Sequence, residues 1–134
     1  MIDAKELRQG SWIADRGGKQ WQIDCWETPT KVAAKAPTGT IDGFEFVGHP
    51  LTEDVEYLQP IPLTPEVLEA CEGVKRTPYA DWFDWIVCGL NINYNVDENV
   101  YFLYEYPEIV FNSLHQLQNL VALTGQELEY KPKV

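Results

Sequence analysis

Leucine and valine recur at helical spacing in one stretch near the end of the chain, NSLHQLQNLVALTGQEL, residues 112–128. Leu114, Leu117, Val121 and Leu128 are separated by three, four and seven positions, and Leu120 and Leu123 widen the same apolar face. The pattern predicts a helix from Leu114 to Thr124 with one side to bury. Ser113 stands where its hydroxyl can cap the first N–H groups, Gln116 can bond back to it, and Gly125 offers the left-handed position that ends a helix. So short a helix is marginal alone, since isolated helices below roughly 12–15 residues melt in water. It must form by packing, and the aromatic strands before it are the expected partner.

Upstream the period changes to two. Asp3 and Glu6 predict one capped helical turn ending near Gly10. Ser11 to Asp15 reads as a strand, Arg16-Gly17-Gly18 as a hairpin turn, and Lys19 to Trp26 alternates Trp21, Ile23 and Cys25 against Gln20, Gln22 and Asp24. After Thr28-Pro29-Thr30, the residues Val32, Ala34 and Ala36 alternate with Lys31, Ala33 and Lys35 up to Pro37-Thr38-Gly39. Thr40 to Val47 predicts a further strand with Phe44 and Phe46 on one face, unless Asp42-Gly43 makes a bulge or turn, and Val55 to Leu58 a last one before Pro60 and Pro62. Five short strands divided by tight turns predict a small, partly open β-barrel of the SH3-like or OB-like kind.

Thr64-Pro65-Glu66 has the chemistry of a helix start, and the helix should reach Cys71 before Gly73 stops it. The basic pair Lys75-Arg76 precedes the most aromatic region, Tyr79 to Phe111, which carries Trp82, Trp85, Tyr94, Tyr101, Tyr104 and Tyr106. It is divided by Asn95-Val96-Asp97-Glu98-Asn99, Gly89 and Pro107 into four short antiparallel strands. The expected class is α+β: a barrel lobe over residues 1–63 and, over 64–134, an antiparallel sheet packed on the terminal helix. The two lobes can form one compact domain.

Composition narrows the chemistry. A chain of 134 residues can bury a core without staples. Cys25, Cys71 and Cys88 are odd in number, far apart and lack a CxxC pair, so neither a disulfide framework nor a zinc ribbon is expected. The first ten residues lack the apolar run of a signal peptide, and no stretch approaches the roughly 18 apolar residues of a membrane span. A soluble, cytoplasmic protein without membrane association is expected. The net charge of −11 is uneven: residues 36–74 hold eight acids and no Lys or Arg, and residues 77–130 again hold eight acids and no base. That field repels phosphates, so direct nucleic-acid binding is not expected.

No catalytic constellation emerges. His49 and His115 are more than sixty positions apart and give no metal-ligand spacing. Asn93, Asn95 and Asp97 resemble the start of a calcium loop, but Glu98 stands at its sixth position and Tyr104 at its twelfth, where Gly and Glu are required. Glu53, Asp54 and Glu56 form a charge run with no pocket marked beside it. Gly17-Gly18 lacks the context of a phosphate loop. No catalytic residue, metal or cofactor is expected. Binding candidates remain: Trp21 and Trp26, placed by alternation on opposite faces so that one points outward, and the terminal helix's uncharged polar residues His115, Gln116, Gln118 and Asn119. Such amides are buried in a self-complementary contact at lower cost than carboxylates.

Three segments carry a resemblance: Leu7-Arg8-Gln9-Gly10, the PIPLTPE run of residues 60–66, and HQLQNL…ALTGQEL over 115–128. Together they resemble a family of small proteins encoded in gut-bacterial genomes, often in phage or mobile-element regions. The resemblance implies a mobile-element origin and carries over no known activity, catalytic residue or cofactor. The expected function is that of a non-enzymatic phage or mobile-element accessory protein that binds a protein partner or itself as a homodimer. The alternative is an acidic DNA mimic that occupies the DNA-binding groove of a host defence or regulatory protein.

Overall fold

The computed structural model describes residues 2, 4–28, 30–35, 40–41, 44–45, 51–76 and 85–131. Asp3, Pro37 to Gly39, Asp42-Gly43, Phe46, His49, Tyr79 and Trp82 lie outside the described residues. The chain is α+β and divides between Ile61 and Pro62 into two compact units.

In the first unit a 3-10 turn (Ala4–Glu6) leads into β1 (Trp12–Ala14), β2 (Gln20–Thr28), β3 (Lys31–Lys35), β4 (Thr40–Ile41), β5 (Phe44–Glu45) and β6 (Leu51–Asp54), then a second 3-10 turn (Val55–Tyr57). The antiparallel order is β1-β2-β3-β6, with β4 and β5 forming a small ribbon of their own. The first hairpin turns where Gly18 can take φ +86°. Asp15 holds that turn, accepting from the N–H groups of Gly17 at 2.9 Å and Lys19 at 3.0 Å. Ile2, Leu7, Ile13, Trp21, Ile23, Val32, Ala34, Val55 and Leu58 form the core.

The strand expected over Val55 to Leu58 lies earlier, at β6. The Val55 N–H still reaches Thr30 O at 2.8 Å, but Leu58 N–H then bonds Val55 O at 3.0 Å and the chain turns. The turn brings Gln59 beside β1, where it exchanges two backbone bonds with Ala14 at 2.9 and 2.8 Å. With β6 on β3 and Gln59 on β1, the sheet curls into a half-barrel.

A second difference comes from irregular pairing of β2 with β3. The register shifts between Ile23 and Cys25, and again between Trp26 and Thr28, so Asp24 and Glu27 are extra residues. Each bulge reverses the alternation. Cys25, expected inward, is exposed and pairs with Ala33, which was expected outward and is fully buried.

The second unit holds α1 (Pro65–Glu69), β7 (Val74–Arg76), β8 (Trp85–Val87), β9 (Leu90–Asn95), β10 (Val100–Leu103), β11 (Val110–Phe111) and α2 (Leu114–Ala122). Its sheet runs in the order β11-β10-β9-β8-β7. Thr64 caps α1 by accepting from Val67 N–H at 3.2 Å. β7 was hidden in the sequence, where Lys75-Arg76 reads only as a basic pair. Trp85, Ile92 and Leu103 lie in one cross-strand row, and Tyr94, Tyr101 and Phe111 in the next, with ring centroids 4.8 and 6.2 Å apart.

The helix α2 buries Leu114, Leu117 and Val121 as the spacing predicts. It is shorter than expected at its C-terminal end. Leu123 is the C-cap rather than a face residue and is 84% exposed, while Gly125 takes φ +82° just beyond. Ser113 occupies the N-cap with extended backbone, yet its side chain makes no capping bond. The expected reciprocal box is displaced by one residue: Gln116 Oε1 accepts from the N–H of Asn112 at 3.0 Å.

Candidate functional site

Of the two tryptophans placed on opposite faces, the structure separates their roles. Trp21 is buried on the core face and donates its indole N–H to Asp15 Oδ2 at 3.0 Å, with the Lys19 ammonium 4.7 Å from its ring centre. It is a structural residue, and its place among the binding candidates is corrected. Trp26 is 37% exposed and pairs across the sheet with Val32. Another exposed ring of this unit, Tyr57, is already occupied: the Arg16 guanidinium sits 4.3 Å from its centre and reaches Glu53 at 3.7 Å.

The polar side of α2 is also divided. His115 and Gln118 are 2% and 3% exposed, so a partner cannot touch them without rearranging the helix, whereas Gln116 and Asn119 are half-buried. The sequence gives these four the same polar character. Burial separates them because the buried stripe is wider than its leucines and valine alone.

Among the described residues, four exposed large apolar side chains fall close together in sequence where periodicity fails, around the turn between β10 and β11. Residues 104–109, Tyr-Glu-Tyr-Pro-Glu-Ile, form a turn held by its own backbone. Tyr106 N–H bonds Leu103 O at 3.3 Å, Ile109 N–H bonds Tyr106 O at 2.9 Å, and Leu103 N–H bonds Ile109 O at 3.2 Å. Asn91 on β9 anchors the turn twice, accepting from Tyr104 N–H at 2.9 Å and donating its amide to Glu105 Oε1 at 2.7 Å. On this fixed frame Tyr104, Tyr106, Ile109 and Val110 are all exposed, Tyr106 at 58% and Val110 at 54%. Elsewhere in the described part of this unit, exposed large apolar side chains stand singly: Val96 in the turn at the far end of β10, and Leu123 after α2.

Edge geometry decides how this band can make contacts. Val110 pairs with Phe102 in a non-hydrogen-bonded position, flanked by the Leu103–Ile109 bond, so its N–H and C=O point away from β10. The next outward groups are taken, since Asn112 N–H goes to Gln116 and Asn112 O accepts from Leu63 N–H at 3.0 Å. An open edge one residue long offers little to an added strand. The side chains carry the contact surface.

Electrostatics mark the same place. Glu105 and Glu108 flank the tyrosines, and no Lys or Arg occurs in residues 77–130. Of the unit's bases, Lys131 is held by Glu72 at 2.5 Å. Lys75 and Arg76 are on β7, the opposite edge of the five-stranded sheet. For Glu105 the separation is shorter, because Asn91, which bonds it, shares one cross-strand row with Ile86 and Lys75, two strand spacings or roughly 10 Å away. The charged residues within the band itself, Glu105 and Glu108, are both acidic. A signal for it was present in the sequence: Pro107 between glutamates and next to Tyr106 breaks a strand while leaving aromatics that cannot all turn inward.

Among the described residues no group of three or more His, Cys, Asp or Glu is placed to hold a metal ion. Burial, reinforced by the Cys88 thiol nearby, pushes the Cys71 thiol up to about 12, and Cys71 Sγ donates to Val67 O at 3.4 Å. A thiol kept protonated is a packing group rather than a nucleophile. Burial raises Cys88 as well. No helix of the described residues is long and apolar enough to cross a membrane. Compared with protein-family models, with curated proteins and with solved structures, the chain matches none.

Proposed function

We propose that this chain is a non-enzymatic accessory protein, of phage or mobile-element type, that acts by binding another protein through the second unit. The observation that carries the reading is the exposure of Tyr104, Tyr106, Ile109 and Val110 in and beside a turn fixed by Asn91. Tyrosine presents a large, rigid, amphipathic area with few torsions to freeze, which is why it is enriched where partners dock. Four apolar side chains held outward within seven residues give a site whose ordering cost is already met by folding. The resemblance to mobile-element proteins supports the accessory role.

The test compares captures from a gut-bacterial lysate by the tagged full-length chain, a Tyr104→Ser/Tyr106→Ser variant and a Trp26→Ser variant. Proteins retained by the parent and by Trp26→Ser but lost from the tyrosine variant support the band as the contact surface. Identical captures by all three remove the band from consideration. A substrate turnover abolished by His115→Ala would overturn the non-enzymatic reading altogether.

A further inference from the structure

We infer that the occupant of the Tyr104–Val110 band is a cationic protein segment in which arginine or lysine is interspersed with apolar side chains, and not a second copy of this chain. The inference rests on the reading of the band as a binding surface and adds the chemistry of what it takes. Three features converge on it. The rings of Tyr104 and Tyr106 are exposed, and a guanidinium or ammonium is attracted to an aromatic face. Glu105 and Glu108 stand on either side of Tyr106, and carboxylates give arginine a bidentate partner. Val110, exposed on β11, supplies apolar area that the aliphatic part of an arginine, or a neighbouring leucine, would cover.

The first unit shows the same chemistry satisfied from within. There the exposed ring of Tyr57 receives Arg16, which also reaches a carboxylate, Glu53. Tyr106 with its flanking glutamates repeats that combination of ring and carboxylate in a stretch with no Lys or Arg from residue 77 to 130. Lys131, the nearest base by sequence, is held by Glu72, and Lys75 lies two strands from the Asn91 that bonds Glu105. Glu105 is oriented by the neutral Asn91 amide, which fixes its position and leaves its charge in place. A second copy would bring the same glutamates against these and carries the same net charge of −11, so like charges would face one another.

Calorimetric titration of the full-length protein with two synthetic peptides of equal length tests this, one alternating arginine with leucine and the other serine with leucine. The arginine peptide is expected to bind about tenfold more tightly than the serine peptide, and to weaken about tenfold in Tyr106→Ser and in Glu105→Gln/Glu108→Gln. Its affinity should fall as salt is raised and should not change in Glu66→Gln/Glu69→Gln, where the carboxylates sit on α1. All substituted side chains are exposed, and a thermal melt of each variant verifies folding. Equal affinity for the two peptides, both lost in Tyr106→Ser, overturns the cationic inference and leaves the band as a binding surface. Binding of the arginine peptide that is indifferent to Tyr106→Ser overturns both. Failure of the arginine peptide to bind, or dimerisation in light scattering that Tyr106→Ser abolishes, also overturns the inference.

Discussion

The indole N–H of Trp21 is bonded to Asp15 Oδ2 at 3.0 Å across the first hairpin, while the other oxygen of that carboxylate holds the turn itself through Gly17 and Lys19. One side chain thus joins a local event, closure of the turn, to a core event, the burial of Trp21 on β2. Hydrogen bonds to a charged group contribute roughly 1.5–3 kcal/mol. Asp15→Ala is expected to lower unfolding free energy by about that amount in a urea melt, whereas Asp15→Asn, which can still accept from the two backbone groups, loses less. Equal losses in both variants would mean that the indole bond, and not the turn, carries the stabilisation.

Leu117 and Leu123 separate what sequence periodicity treats as one face. Leu117 is fully buried and Leu123 largely exposed. Leu117→Ala should cost about 2–5 kcal/mol, the loss of burial plus a cavity, and Leu123→Ala should stay within about 0.5 kcal/mol. Chemical denaturation of both variants checks the pair. A Leu117→Ala loss below about 1 kcal/mol would mean that the helix is misplaced.

Those two leucines also show how far the chain could be read without its structure. Strict alternation and capping chemistry located β1, β2, β3 and α1, and the start of α2, because those signals are local. The bulges at Asp24 and Glu27 depend on how β2 meets β3. Nothing in residues 20–28 announces them, and so Cys25 is expected on the wrong side, while Ala33 is buried because β3 is covered at Val32, Ala33 and Ala34 alike. The helix end at Ala122 is likewise set by packing rather than by composition. Among the site residues, the exposure of Trp26 does not follow from its odd spacing to Trp21, because the bulge at Asp24 returns it to the row of Val32, and burial of His115 and Gln118 does not follow from residue type. The tyrosine band escaped because a broken strand pattern reads as a turn, and whether a turn's aromatics face outward is a tertiary matter.

Gly73 and Gly89 give a comparison in which conformation and space are separable. Both have positive φ, +78° and +87°, but a Cβ on Gly73 would stand 3.1 Å from Cys88 Sγ, while one on Gly89 would meet nothing within 4 Å. Gly89→Ala should cost roughly 1–2 kcal/mol for the left-handed backbone alone. Gly73→Ala should cost more, and the excess should disappear in a Cys88→Ala background. A double-mutant cycle on urea midpoints measures that coupling. Additive costs would remove the steric contact from the explanation.

The thiols should differ in reactivity and in their effect at high pH. Cys25 is exposed and Cys71 buried. In the native protein at pH 8 a thiol-disulfide reagent should modify Cys25 first and reach Cys71 only on unfolding. Cys71 is raised from the ordinary 9.0 to about 12 in the folded chain. Between those values the unfolded chain has lost the proton that the folded chain keeps, so folding binds the extra proton. Stability from this group is therefore complete below pH 9.0 and is lost as pH rises toward 12. Urea midpoints measured from pH 8 to pH 11 should fall on the alkaline side, and less steeply in Cys71→Ala, whose own stability is lower but whose slope lacks this contribution. Parallel slopes for parent and variant would show that Cys71 exchanges its proton as freely folded as unfolded.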